Sequence, residues 1–237
     1  MMGSQTTLAV APAIYRKYAV DAAKDFSGIA PAGVSPLMLV VHPAFPAQSV
    51  KDIIEMAKAK PGTLNFGSGG LGTTPHMSGE LLALTAGIKL THVAYRGEAP
   101  ALNDLIGGQI PMMFSNVSAV IGNVRAGQLR ALAVTSAQRI PVAPELPTIA
   151  ESGLPGFEVA TWFALVTPAG TPRDVVMRLN AEAKRGMHQP DAGQRLAALG
   201  MTIDERTPHE LDAFIRSEIA KWGKVIRDAD IKAPDGN

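Results

Sequence analysis

The chain has 237 residues, of which 46% are hydrophobic and 18% charged, with a formal net charge of +1. At this length roughly 70% of the unfolded surface can be buried, and the near-neutral charge gives no electrostatic basis for binding nucleic acid or an acidic membrane. No run of about 18 apolar residues exists to span a bilayer as a helix, and the absence of cysteine excludes disulfides, thiolate metal sites and cysteine nucleophiles.

Met2-Gly3-Ser4 reads as the end of a strand running into a loop. Leu8 to Ile14 is apolar but broken by Pro12, with no basic segment before it, so no signal peptide is read there. Leu37-Met38-Leu39-Val40-Val41 is a continuous apolar run that suits a buried strand. Ser49 caps a helix with Asp52 in its first turn and Pro61-Gly62 beyond its end. Leu64-Asn65-Phe66 is a short strand, and a helix from about Pro75 to Ala86 closes at Gly87. Strands at 91–95, 110–114 and 129–135 alternate with helices ended by Gly107-Gly108 and Gly127. Thr148 and Glu151 cap a single helical turn. Val159 to Thr167 is a long strand, Pro172 opens a helix reaching about Met187, and Thr207-Pro208-His209-Glu210 is a capping box for the last helix. Alternating strands and helices predict an α/β fold with largely parallel sheets.

The most informative stretch is Gly67-Ser68-Gly69-Gly70-Leu71-Gly72-Thr73-Thr74, between a strand and a helix. Glycines allow positive φ and close backbone approach, so several N–H groups can converge on one point. The dipole of the following helix adds positive potential there. Ser68 and Thr73 bring hydroxyls. The expectation is an anion site for a carboxylate or phosphate; the plainer reading is a turn that only packs helix on strand.

Gly67, Gly69 and Gly72 also satisfy G-x-G-x-x-G, so an NADP-dependent oxidoreductase is the alternative reading. Against it, the helix starts late, and the next strand ends in Tyr95-Arg96 rather than the acid that holds a ribose hydroxyl. No proton-transfer pair is evident. The five histidines have no ligand spacing, so no metal site is expected. A regulator's sensor domain would need a helix-turn-helix or a basic segment, and neither is present.

The chain resembles the substrate-binding proteins of tripartite tricarboxylate transporters, the Bug family. The resemblance is carried over nearly the whole chain by Pro61-Gly62-Thr63-Leu64-Asn65-Phe66-Gly67-Ser68-Gly69-Gly70, Tyr95-Arg96-Gly97, Gly107-Gly108-Gln109, Leu129-Arg130-Ala131-Leu132-Ala133-Val134-Thr135, Gly153-Leu154-Pro155-Gly156-Phe157 and Pro168-Ala169-Gly170-Thr171-Pro172. It implies a type II periplasmic binding protein fold, with two α/β lobes joined by crossing strands near Leu37–Val41 and Thr161–Val166. Residues 37–158 would form the second lobe, and residues 1–36 with 159–237 the first. It further implies a periplasmic receptor, not an enzyme and without a cofactor. Its ligand would be a small organic carboxylate: a di- or tricarboxylate, an amino acid or an aromatic acid. Its partners would be the membrane subunits of a transporter.

By the same resemblance the ligand-binding residues are Ser4, Gln5 and Thr6 in the first lobe, with Thr161 and Trp162 near the second crossing. In the second lobe they are Ser68, Gly69, Gly70, Gly72, Thr73, Tyr95, Arg96, Ser115 and Asn116. Met2-Gly3-Ser4 corresponds to the family's third-strand end. The expectation is therefore that the export signal and the opening strand–helix–strand unit are missing, leaving an exposed edge prone to self-association. From the residues alone, Trp162 is as well suited to a core as to a ligand wall, and His76 suits a packing or capping role.

Overall fold

A computed structural model describes residues 1–15 and 17–233. In chain order the elements are β1 (Met2–Ser4), a π-helical turn (Thr6–Val10), α1 (Ala11–Ile14), α2 (Ala22–Asp25), β2 (Phe26–Val41) and α3 (Val50–Ala59). There follow β3 (Asn65–Ser68), α4 (Thr74–Ala86), β4 (Thr91–Ala94), α5 (Glu98–Ile106), β5 (Met112–Asn116), α6 (Val117–Arg125) and β6 (Arg130–Val134). The chain continues through β7 (Ala160–Pro168), α7 (Arg173–Met187), α8 (Pro190–Ala198) and α9 (Pro208–Asp228).

These elements form two compact units. One comprises Met1–Ser35 with Thr161–Asn237, the other Pro36–Ala160. The chain passes between them twice, within β2 and at the start of β7.

In the second unit, Leu37 to Val41 of β2 are fully buried, which is why this segment reads as an unbroken apolar run. β2 pairs antiparallel with β5 on one side and β6 on the other. β5 pairs in parallel with β3, and β3 in parallel with β4. The expectation of largely parallel pairing is thus corrected. β2 enters from the other unit rather than through a strand–helix–strand crossover, so nothing obliges it to run with its neighbours. One core cluster packs Met38 and Val40 against Ala101 and Leu105 of α5, Met113 of β5, and Val117 and Val120 of α6. α4 lies so close to β3 that a Cβ on Gly79 would sit 2.2 Å from the Phe66 ring.

In the first unit, β1 pairs antiparallel with β7, with Ser4 opposite Phe163. A π-helical turn follows β1 where a loop was expected. α9 begins at the expected capping box: Thr207 Oγ1 accepts from Glu210 N–H, and the Glu210 carboxylate accepts from Thr207 N–H at 2.8 Å. Its apolar stripe buries Leu211, Ile215, Trp222, Val225 and Ile226. α8 is an addition to the predicted elements, and none of its residues is buried.

Candidate functional site

Because β4, β3 and β5 lie side by side and run parallel, their carboxyl ends share one edge of the second unit. The glycine loop leaves β3 there, Tyr95-Arg96-Gly97 leaves β4, and Ser115-Asn116 ends β5. Helices α4, α5 and α6 start at the same edge. Ligands of open α/β sheets bind at such carboxyl ends.

Within the loop, Gly70 has φ +131° and Gly72 φ +75°, values that L side chains rarely adopt. A Cβ on Gly69 would lie 2.9 Å from Glu98 N, so glycine is required there for the close approach of two backbones. The loop is tied largely to itself. Gly70 N–H donates to Ser68 Oγ at 3.1 Å, and the Gly70 carbonyl accepts from Thr73 Oγ1 at 2.8 Å and from Thr73 N–H at 3.3 Å. Gly72 N–H donates to His76 Nδ1 at 3.1 Å. The Ser68 and Thr73 hydroxyls, expected to face an anion, also hold the loop's shape. The hydrogen bonds of the described residues include none from the N–H groups of Gly69 and Leu71.

Two histidines brace the loop from behind. His92 on β4 lies 2.6 Å from Ser68 Oγ through Nε2, and its ring lies against that of His76, tilted by 33° with centroids 3.9 Å apart. Burial, reinforced by His76, pushes His92 down to about 3, so its imidazole is neutral near pH 7. His76 accepts at Nδ1, which puts its ring proton on Nε2, 3.4 Å from the Glu80 carboxylate. The packing role read for His76 therefore includes a direct hold on the loop. His92 was missed by sequence reasoning, since one strand histidine carries no local signal.

The Tyr95 hydroxyl donates to Asp104 on α5 at 2.8 Å, and its ring packs on the core cluster. Burial and the Asp104 carboxylate raise it to about 12. Arg96 is exposed. Ser115 and Asn116 meet Glu98, a residue that sequence reasoning did not single out. Glu98 Oε1 accepts from Ser115 Oγ at 2.5 Å and from Asn116 N–H at 3.1 Å, and Oε2 accepts from Asn116 Nδ2 at 3.4 Å.

In the first unit, the antiparallel register sets Ser4 beside Phe163, so Ser4, Gln5 and Thr6 lie at the same end of the β1–β7 pair as Thr161 and Trp162. Gln5 is fully buried and Trp162 is 3% exposed. Trp162 Nε1–H donates to Glu218 at 2.9 Å, and its ring meets Phe214 edge-on. Trp162 is a core residue of its unit. Among the described residues, no group of three or more His, Asp or Glu is arranged to hold a metal ion, and no helix is long and apolar enough to cross a membrane.

The architecture is the α/β fold of the periplasmic solute-binding proteins. Within that class the chain belongs to the tripartite tricarboxylate transporter family receptors, whose family model matches residues 1–231. The protein of the tcbD–tcbE intergenic region of Pseudomonas sp. is 40% identical over 224 residues, covering 94% of this chain and 67% of its own length. The structure of R. palustris Rpa4515 with adipate matches with a TM-score of 0.86 at 35% identity, covering 98% of this chain and 77% of that one. MatC (Rpa3494) from Rhodopseudomonas palustris with bound malate matches with a TM-score of 0.83 at 31% identity, covering 95% and 78%. The family is one of solute-binding receptors, not of enzymes. Nothing in it supports the dinucleotide reading of Gly67, Gly69 and Gly72.

Proposed function

We propose that this chain is a periplasmic receptor that captures a small organic carboxylate and delivers it to the membrane subunits of a tripartite transporter. The observation that carries the proposal is the glycine loop at the shared carboxyl ends of β3, β4 and β5, directly ahead of α4. Its glycines keep side chains out of the loop, and the N–H groups of Gly69 and Leu71 with the start of α4 supply the positive potential. Ser68 and Thr73 act by holding the loop, and His76 and His92 brace it. The adipate and malate of the two R. palustris structures support a carboxylate ligand.

Calorimetry of the wild-type chain and of Gly70→Asp against a panel of small carboxylates tests this reading. The aspartate forces an L residue into φ +131° and adds like charge at the loop. The expected outcome is at least a hundredfold loss of affinity with the fold of the second unit preserved by circular dichroism. Equal affinity in the two proteins overturns the loop as the anion site.

A further inference from the structure

Glu98 fills a carboxylate site with a carboxylate of the chain's own. A hydroxyl, a backbone N–H and a side-chain amide converge on it from Ser115 and Asn116. The Asn116 N–H lies at the N-terminus of α6, where an anion is favoured by the helix dipole. Ser115 is fully buried, so removing Glu98 from these donors would leave a buried hydroxyl to find another partner, at a cost typical of unsatisfied groups. Several charge-assisted bonds therefore keep this side chain in place. All three donors are neutral groups, which orient the carboxylate without cancelling its charge. Its backbone lies against the glycine loop, since a Cβ on Gly69 would approach Glu98 N to 2.9 Å.

We infer that Glu98 is a specificity-determining residue: a resident anion beside the glycine loop that selects carboxylates whose far end is neutral or cationic and disfavours those with a second carboxylate. The inference rests on the glycine loop as the carboxylate site. A ligand carboxylate takes the loop, the α6 terminus is already occupied by Glu98, and a second negative group nearby meets like-charge repulsion in a partly buried setting. A hydroxyl tail meets no such penalty, and an ammonium tail gains attraction.

The test uses matched acids of equal length that differ only in the far group: succinate, 4-hydroxybutyrate and 4-aminobutyrate, and the six-carbon set adipate, 6-hydroxyhexanoate and 6-aminohexanoate. Calorimetry is run on the wild-type chain, Glu98→Gln and Gly70→Asp. Within the better-bound length, the wild-type chain is expected to bind the amino and hydroxy acids at least tenfold more tightly than the diacid. Glu98→Gln is expected to narrow that ratio to within about threefold, mainly by binding the diacid better. Should Glu98→Gln fail to fold, the wild-type ranking decides by itself. A diacid bound by the wild-type chain as tightly as its partners overturns the role of Glu98, as does an unchanged ratio in a folded Glu98→Gln, and both leave the loop standing. Equal binding by wild type and Gly70→Asp, or no binding of any of the six acids by the wild-type chain, overturns the loop reading and this inference with it.

Discussion

Glu218 sits on the apolar stripe of α9 with 8% exposure, and both tryptophans of the chain donate to its Oε2, Trp162 and Trp222 each at 2.9 Å. A buried carboxylate is tolerated when its lone pairs are satisfied, and here two indoles with Lys221 at 3.7 Å serve that purpose. Glu218→Ala is expected to destabilise the first unit by about 2–5 kcal/mol, because two buried indole N–H groups lose their partner and a cavity opens. Glu218→Gln, which keeps an acceptor oxygen, is expected to cost less. Denaturant melts followed by tryptophan emission check both, and an Ala variant as stable as wild type would show that water replaces the carboxylate. The same contact explains why Trp162 was open between ligand wall and core in the sequence. Its partner lies 56 positions away, and nothing local to β7 announces it.

Helix starts are the best-read elements, because a cap joins residues only three positions apart. Ser49 with Asp52 and Thr207 with Glu210 both form the bonds their spacing predicts. Thr148 and Glu151 form the same reciprocal pair at 3.0 and 2.8 Å and cap the single turn expected, closed by Ser152 N–H on the Thr148 carbonyl at 3.1 Å and followed by Gly153 at φ +106°. A cap signal thus marks a start and says nothing of length. Thr207→Ala is expected to cost about 1 kcal/mol, seen as a melting-temperature drop of roughly 2–4 °C in a chain of this size. An unchanged melting temperature would mean that tertiary packing alone holds the first turn of α9. Strand direction was less legible than helix starts: β2 reads as a buried strand, but its antiparallel pairing depends on its entry from the other unit.

Across the whole molecule, histidines link stability to pH with opposite signs. His92 lies well below its ordinary value, at about 3, through burial. Between about pH 6.5 and pH 3 the unfolded chain therefore holds a proton that the folded chain lacks, and stability falls as the pH falls. His188 is raised, chiefly by the Lys184 carbonyl and then by Glu205, so its smaller, exposed contribution is present in acid and lost as pH rises. The window from pH 6.5 to 5 precedes most carboxylate titration. There the second unit, which contains no tryptophan, is expected to lose stability by at most about 1.4 kcal/mol per pH unit. His92→Gln, which keeps a polar partner for Ser68, is expected to flatten that slope in melts followed by far-ultraviolet circular dichroism. A slope unchanged by the substitution would mean that the imidazole takes up its proton within the fold.

The order of most strands and helices, their caps and the glycine loop at the start of α4 were legible in the residues, since each depends on residues within a few positions of one another. Which loop groups are held in internal hydrogen bonds was decided by tertiary structure. Ser68 reaches His92 across 24 positions, and Glu98 reaches Ser115 across 17. Those meetings exist only because β4, β3 and β5 lie in that order with their carboxyl ends together. Hydroxyls that look available in a string of residues are claimed by partners that sheet pairing brings within hydrogen-bond reach.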